Sequence, residues 1–230
     1  MDVKVSSVSR ETIRTRAEAS LREAIVSGRL GGGERLVERE LCEALQVGRG
    51  SLREALRGLV AEGLIEVVPH RGPVVARITV EQAREIYAVR GVLEGLAART
   101  LAQHREPHAI ERMTSALERM RDIHRGVADA ANLIPVKTEF YSALFEGAGN
   151  ATLTEIMNRL LARISVLRRT SFSRPDRLSK SIVEIARIVE AIRSGEPDEA
   201  ERTSRHHVEQ ACLAALPLLP SSPPIDRRNA

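Results

Sequence analysis

Residues 36–76 read LVERELCEALQVGRGSLREALRGLVAEGLIEVVPHRGPVVA. Leu41 and Leu45 stand one helical turn apart among Glu38, Arg39, Glu40 and Glu43, which predicts a short amphipathic helix. Val47-Gly48-Arg49-Gly50 breaks it, and Ser51 is expected to cap a second helix with Glu54 as its capping-box partner. In that second helix Leu52, Ala55, Leu56, Leu59 and Val60 form one apolar stripe. Arg49, Arg53 and Arg57 recur at every fourth residue as a separate basic stripe. A helix packed on one side and lined with arginines on the other suits a DNA major groove, where arginine reads guanine bidentately and also holds phosphates. Two β-branched runs follow, Leu64 to Val68 and Val74 to Ala76, joined by Pro69-His70-Arg71-Gly72-Pro73 as a hairpin with a basic tip. A basic stripe alone fits a solvated helix face equally well. Helix, arginine helix and basic hairpin in this order predict a winged helix-turn-helix.

The run Ile25-Val26-Ser27-Gly28-Arg29-Leu30, then Gly33-Glu34-Arg35-Leu36, Val47, Arg49, Leu52-Arg53-Glu54-Ala55-Leu56, Leu59, Glu62-Gly63-Leu64 and Pro69-His70-Arg71-Gly72 resembles the GntR family of bacterial transcription regulators. The resemblance implies that Arg39, Arg49 and Arg53 contact operator bases and phosphates, and that His70 with Gly72 forms the wing tip that enters the minor groove. Gly32 stands where that family usually has proline, Gly48 and Gly50 where it has Ser or Thr, and Ser51 where it often has proline. The missing hydroxyls leave backbone amides as phosphate donors. The expected DNA-contact set is Arg39, Arg49, Gly50, Ser51, Arg53, Arg57, His70, Arg71 and Gly72.

Composition agrees with a helical protein. Apolar residues make up 43% of the 230, with two Tyr, three Phe and no Trp. So few aromatic rings disfavour single-strand or RNA binding by base stacking. The net charge of +4 and a sequence pI of about 9.6 are compatible with a DNA partner. Residues 1–78 carry only a slight basic excess, so the basic surface must come from placement. Nearly all the cations are arginine, which favours bidentate contacts. Cys42 and Cys212 lie far apart in apolar helical patterns and read as core packing, with no metal spacing or disulfide framework. The N-terminus lacks a signal-peptide core, and no run approaches the ~18 apolar residues of a membrane span, so a cytoplasmic protein without a membrane partner is expected.

Glu11 to Ser27 reads as an amphipathic helix with Ile13, Ala17, Leu21, Ala24 and Ile25 inward, followed by a flexible Gly31-Gly32-Gly33 turn. That turn has neither a preceding strand nor a GK[ST] ending, which argues against a nucleotide loop. From Val80 onward only helices are expected, six of them, at about 80–104, 107–125, 128–147, 150–172, 176–194 and 197–216, with Thr79, Asn150 and Asp198 as start signals. The expected class is therefore mainly α. A winged helix covers 1–78, an all-helical effector-binding and dimerisation domain 79–216, and a disordered proline-rich tail 217–230.

Glu85-Ile86-Tyr87, Val89-Arg90, Leu93-Glu94 and Ala97-Ala98, then Phe140, Leu144, Gly149-Asn150, Ala191-Ile192, Gly195 and Ala200 resemble the FCD effector domain of the FadR subfamily, in its six-helix VanR-like branch. The resemblance implies a helical bundle around a central pocket for a small carboxylate, which also mediates dimerisation. Many such domains hold a divalent metal through an Asp and a His four apart on the third helix, a His on the fifth and a His on the last. The matching positions here are Lys137, Tyr141, Ile185 and His207, and only His207 keeps a ligand. No metal or other cofactor is expected. An organic acid would instead meet organic cations and donors, for which the candidates are Arg90, Lys137, Tyr141, Arg159, Arg163 and His207.

No nucleophile–base pair, HExxH or paired-carboxylate motif supports an enzyme built on the helical half. The expected function is a homodimeric DNA-binding transcriptional regulator, of repressor type, on a pseudo-palindromic double-stranded operator, modulated by a small carboxylate-type metabolite. The rival is a DNA-binding protein with a vestigial pocket and no effector.

Overall fold

The computed structural model describes residues 13–172 and 176–220. The chain divides between Arg77 and Ile78 into two compact units. The first holds α1 (Ile13–Ser27), α2 (Glu38–Leu45), α3 (Arg49–Ala61) and the strands β1 (Ile65–Val68) and β2 (Gly72–Val75). α1 buries Ala17, Leu21 and Ile25, one per turn, against α3, which buries Leu52, Ala55, Leu56 and Leu59. Ile13 and Val60, read as inward, lie exposed at the ends of these stripes. Arg22 ties the two helices together, donating to Glu18 (2.7 Å) and to Glu62 (2.5 and 2.9 Å).

The helix-turn-helix differs from its expected form in one respect. Gln46 is left-handed (φ 53) and ends α2, and α3 begins at Arg49 with Gly48 as its N-cap. Ser51 therefore lies inside the first turn and caps nothing. Gly48, in extended conformation (φ -72, ψ 153), takes the N-cap position, which glycine tolerates, so the helix starts earlier than Ser51. The hairpin is antiparallel, from Ile65 opposite Val75 to Val68 opposite Gly72, so Gly72 and Pro73 belong to β2. Backbone bonds from Gly33 to Val75 (2.7 Å), Val75 to Glu34 (2.9 Å) and Leu36 to Pro73 (2.9 Å) lay residues 33–36 along β2. The Gly31-Gly32-Gly33 turn is fastened rather than loose. The Gly31 N–H donates to the Glu34 carboxylate (2.7 Å), Arg77 donates to the Gly32 carbonyl (3.0 Å), and Gly33 is left-handed (φ 84) where a Cβ would sit 2.5 Å from Arg77 Nε.

The second unit is six helices: α4 (Val80–His104), α5 (Pro107–His124), α6 (Leu133–Gly147), α7 (Ala151–Phe172), α8 (Arg177–Ser194) and α9 (Pro197–Ala215). Thr79 and Gln82 form a reciprocal capping box on α4, and Asn150 Oδ1 accepts the Leu153 N–H (3.0 Å) at the start of α7. Asp198 is not the cap of α9, which starts at Pro197 after Glu196. Of the tail expected to be disordered, residues 221–230 lie outside the described residues. Leu216–Leu218 form a 3-10 turn, and the Val80 N–H reaches the Pro220 carbonyl (3.3 Å), so the segment up to Pro220 folds back onto the start of α4.

Candidate functional site

Arg49, Arg53 and Arg57 share the exposed side of α3, opposite the buried leucines, and Arg39 is exposed on α2. Arg53 Nε donates to both Glu38 oxygens (3.1 and 3.2 Å), and Arg57 donates to Glu54 (2.7 Å). Exposed pairs of this kind contribute little to stability, so phosphates can displace the carboxylates. The first-turn amides of Arg49, Gly50 and Ser51 have no partner within the helix and lie at its positive end, where negative charge is favoured. A Cβ at Gly50 would meet nothing within 4 Å, so backbone approach there is open. In the wing, His70 takes φ 60 and Gly72 φ 82, which turns the strand over in three residues, and Arg71 braces the turn on the Gly33 carbonyl (3.2 Å). All nine residues expected to meet DNA lie on this one unit. Seven are exposed, and Ser51 and Gly72 are half-buried.

The second unit buries charge at its centre. Arg90 on α4 pairs with Glu94 one turn on (2.8 and 3.3 Å), both almost fully buried. Arg177 at the start of α8 grips Glu184 bidentately (2.7 and 2.7 Å), and Glu184 also meets His207 Nδ1 from α9 (2.5 Å). Lys137 on α6 donates to Ser181 on α8 (2.9 Å) and lies 4.7 Å above the Phe172 ring. Arg168 on α7 stacks over Tyr141, its guanidinium carbon 3.9 Å from the ring centroid. Tyr141 also lies 5.9 Å from Arg90 and 6.0 Å from Lys137, which makes it the hub of the cluster. Arg168 is 3% exposed, and none of its three guanidinium nitrogens has a partner among the described residues.

The environment moves several of these groups. Burial lowers Lys137, and Arg168, Arg177 and Arg90 lower it further, with Glu94 opposing. Burial brings Arg168 down to about 10. Burial pushes Tyr87 up to about 12 and raises Tyr141 as well. Burial lowers His207 to about 3, aided by Lys137 and opposed by Glu184. Burial of Glu184 is outweighed by its bonds to His207 and Arg177, which hold it at about 2. A neutral His207 facing an ionised Glu184 must donate from Nδ1.

Of the expected pocket residues, the structure brings together Arg90, Lys137, Tyr141 and His207. Arg159 is not among them: its side chain is 76% exposed and pairs with Glu155 (2.5 Å) on the outer face of α7. Arg163 is half-buried; burial lowers it against the opposing charge of Glu85, and its Nε has no partner among the described residues. Sequence reading missed Arg168, Arg177, Glu94, Glu184, Ser181 and Tyr87. Glu94 was signalled by its i,i+4 spacing to Arg90, and Arg168 by its place on the α7 stripe of Leu153, Met157 and Ile164. Ile185 is fully buried with no donor. Among the described residues no three His, Cys, Asp or Glu side chains converge as metal ligands.

Two family models match this chain: the FCD domain over residues 85–210, and bacterial regulatory proteins of the gntR family over residues 13–75. The chain is a GntR-family transcription regulator with an FCD domain. A relative from Paenarthrobacter nicotinovorans, named "Probable D-xylose utilization operon transcriptional repressor", is 29% identical over 90% of this chain and 91% of its own length. The transcriptional repressor NanR of Cronobacter sakazakii is 28% identical over 87% of this chain and 84% of its own. McbR/YncC of E. coli shares the fold at a TM-score of 0.74, with 22% identity over 86% of this chain and 94% of that one. A GntR protein from Rhodococcus sp. RHA1 does so at 0.77, with 24% identity over 90% and 99%. These families and relatives are transcription regulators, not enzymes, and none of the described helices is long and apolar enough to cross a membrane.

The buried pair in this regulator's FCD domain sets an acid sensitivity. His207 takes up its proton near pH 6.5 when unfolded but near 3 when folded, so the unfolded chain binds more protons between those values and stability falls as pH drops. Glu184 adds to the loss between 4.5 and about 2. The slope for His207 is about 1.4 kcal/mol per pH unit. Chemical denaturation across this range should show the FCD unit weakening from pH 6.5 downward, and His207→Gln should flatten the curve above pH 4.5.

Proposed function

We propose that this chain is a repressor that binds a two-fold operator as a homodimer through α3 and the wing, and that an organic acid held in the FCD domain, without a metal, sets its operator affinity. The observation that carries the acid-binding reading is Arg168: a buried guanidinium with three unpartnered nitrogens is costly unless an anion meets it. Lys137, Tyr141, Ile185 and His207 occupy the family's metal-ligand positions and do not fit a divalent ion, which the guanidinium groups of Arg90, Arg168 and Arg177 beside Lys137 would repel. Dimerisation is supported by exposed Val89, Val92 and Leu96 on α4 and Leu213 on α9, an apolar face costly to leave in water. An acid that binds one dimer arrangement better shifts the population toward or away from DNA.

The test is selection of an operator from random duplexes by the full chain, followed by footprinting and an acid screen. Two chains should cover a pseudo-palindrome with half-sites about one helical turn, or a multiple of it, apart. An organic acid should release them, and the response should survive a chelator. In the same assay Glu38→Gln should tighten operator binding several-fold, because it frees Arg53 for the operator. Occupancy by a single chain would sink the dimer, and release that a chelator abolishes would sink the metal-free site.

A further inference from the structure

We propose that the buried cluster of the FCD domain takes up a dianion, one negative charge lying on Arg168 and the second on Lys137; this rests on the reading of that domain as an acid-binding effector unit. The cluster holds four basic side chains and two carboxylates. Glu94 neutralises Arg90, and Glu184 neutralises Arg177 while His207 stays neutral. Arg168 and Lys137 form no ion pair among the described residues: the first stacks on the Tyr141 ring, the second meets Ser181 and the Phe172 ring, and Glu94 acts on both without pairing with either. Both lie within 6.0 Å of the same Tyr141 ring, so one small molecule can reach them together.

The hydrogen-bonding inventory points the same way. The buried atoms of the cluster without a partner are the Tyr87 and Tyr141 hydroxyls, Arg90 Nη1, Arg177 Nε and all three Arg168 nitrogens. Every one of them can donate, and the guanidinium nitrogens cannot accept. A ligand that satisfies them must be rich in acceptors and carry negative charge, as a dicarboxylate or a phosphate monoester does. Arg168 offers a planar fork suited to either.

Lys137 makes the second charge conditional. Its ammonium form is opposed by burial and by Arg168 on α7, Arg177 on α8 and Arg90 on α4; Glu94 on α4 favours it, and His207 on α9 and the Ser181 hydroxyl contribute no charge. A second anionic group beside it supplies the missing counter-charge. Binding therefore draws a proton onto Lys137, and affinity for the dianion falls as pH rises.

Calorimetry on the full chain tests this with butanoate, hexanoate, butanedioate, malate and glycerol phosphate, at matched ionic strength and at about pH 8, below the ordinary lysine range. Two buffers of different ionisation heat report proton uptake. At least one dianion should bind tenfold or more tighter than either monocarboxylate, a factor set by one added charge pair, and its binding should be accompanied by net proton uptake. The dianion that does so identifies the source as dicarboxylate or phosphoryl. Lys137→Met keeps the volume and removes the charge. It should fold, bind mono- and dianions within about twofold of one another, and show no proton uptake. Monocarboxylates that bind as tightly as the dianions in the wild type would overturn the dianion while leaving the acid effector standing. No binding by any of the five would overturn both.

Discussion

Glu94→Ala should cost the FCD domain about 3–5 kcal/mol, whereas Arg168→Met, a few ångströms away, should stabilise it by about 1–4 kcal/mol. Both follow from buried charge. Removing Glu94 strands the Arg90 guanidinium at 1% exposure with no carboxylate, and only the Tyr87 and Tyr141 ring faces remain to it. Removing Arg168 deletes a charge that has no hydrogen-bonding partner among the described residues and leaves an apolar chain beside Tyr141. The same substitution should abolish every acid response while operator binding without acid persists, since the winged helix is a separate compact unit. Urea denaturation of the full chain, read through the second of its two transitions if they separate, measures both changes. A Glu94→Ala protein as stable as wild type would mean that water solvates Arg90. An Arg168→Met protein destabilised like a core deletion would mean that Arg168 is a structural partner, and would remove the main support for the acid site.

Stability in this cluster is thus limited by buried charge that lacks a counter-charge. Glu94 and Glu184 hold two of the four cations in place, and the other two are left at the cost of folding energy. His207 shows how a family position can be kept while its chemistry changes. It remains on α9, but its Nδ1 proton is committed to Glu184, which Arg177 fixes in turn.

How much of this was legible in the sequence depends on the kind of signal. The arginine spacing on α3, the hairpin around His70 and the breaks at Pro107, Gly195 and Pro197 are local, and local chemistry places them correctly. Thr79 and Gln82 announce a cap that forms as written. Ser51 announces one that does not, because the turn from Gln46 to Gly48 already provides the helix start. The cluster is harder to read because its partners come from five helices, α4, α6, α7, α8 and α9. Arg159 and Arg168 both sit on α7, and only the helix phase separates the exposed one from the buried one. Arg168 shares its face with Ile164 and Ser171, while Arg159 faces outward with Glu155. Arginine at a core position is rare enough that pattern reading assigns it to solvent by default.

At the other unit, Arg49→Ala and Arg53→Ala should each cost about 1–3 kcal/mol of operator binding, and together about 2–6 if they act independently. Folding should barely change. Arg49 has no ion pair among the described residues, and the exposed Arg53–Glu38 pair is worth less than about 1 kcal/mol. The loss should be uneven across operator variants, since a side chain that grips a base edge carries preference, and mutation of the contacted base pair should cost little further once the arginine is gone. Arg57 lies two turns into α3 from Arg49 and pairs with Glu54 in solvent, which suits a phosphate contact. Arg57→Ala should therefore weaken all sequences alike and lower the salt-dependence slope by about one. Titration of a selected operator and its single-base variants at several salt concentrations separates the two behaviours. If Arg49→Ala and Arg53→Ala lost affinity evenly and flattened the salt slope as Arg57→Ala does, α3 would lie along the backbone rather than in the groove, and base reading would have to come from the wing at His70 and Arg71.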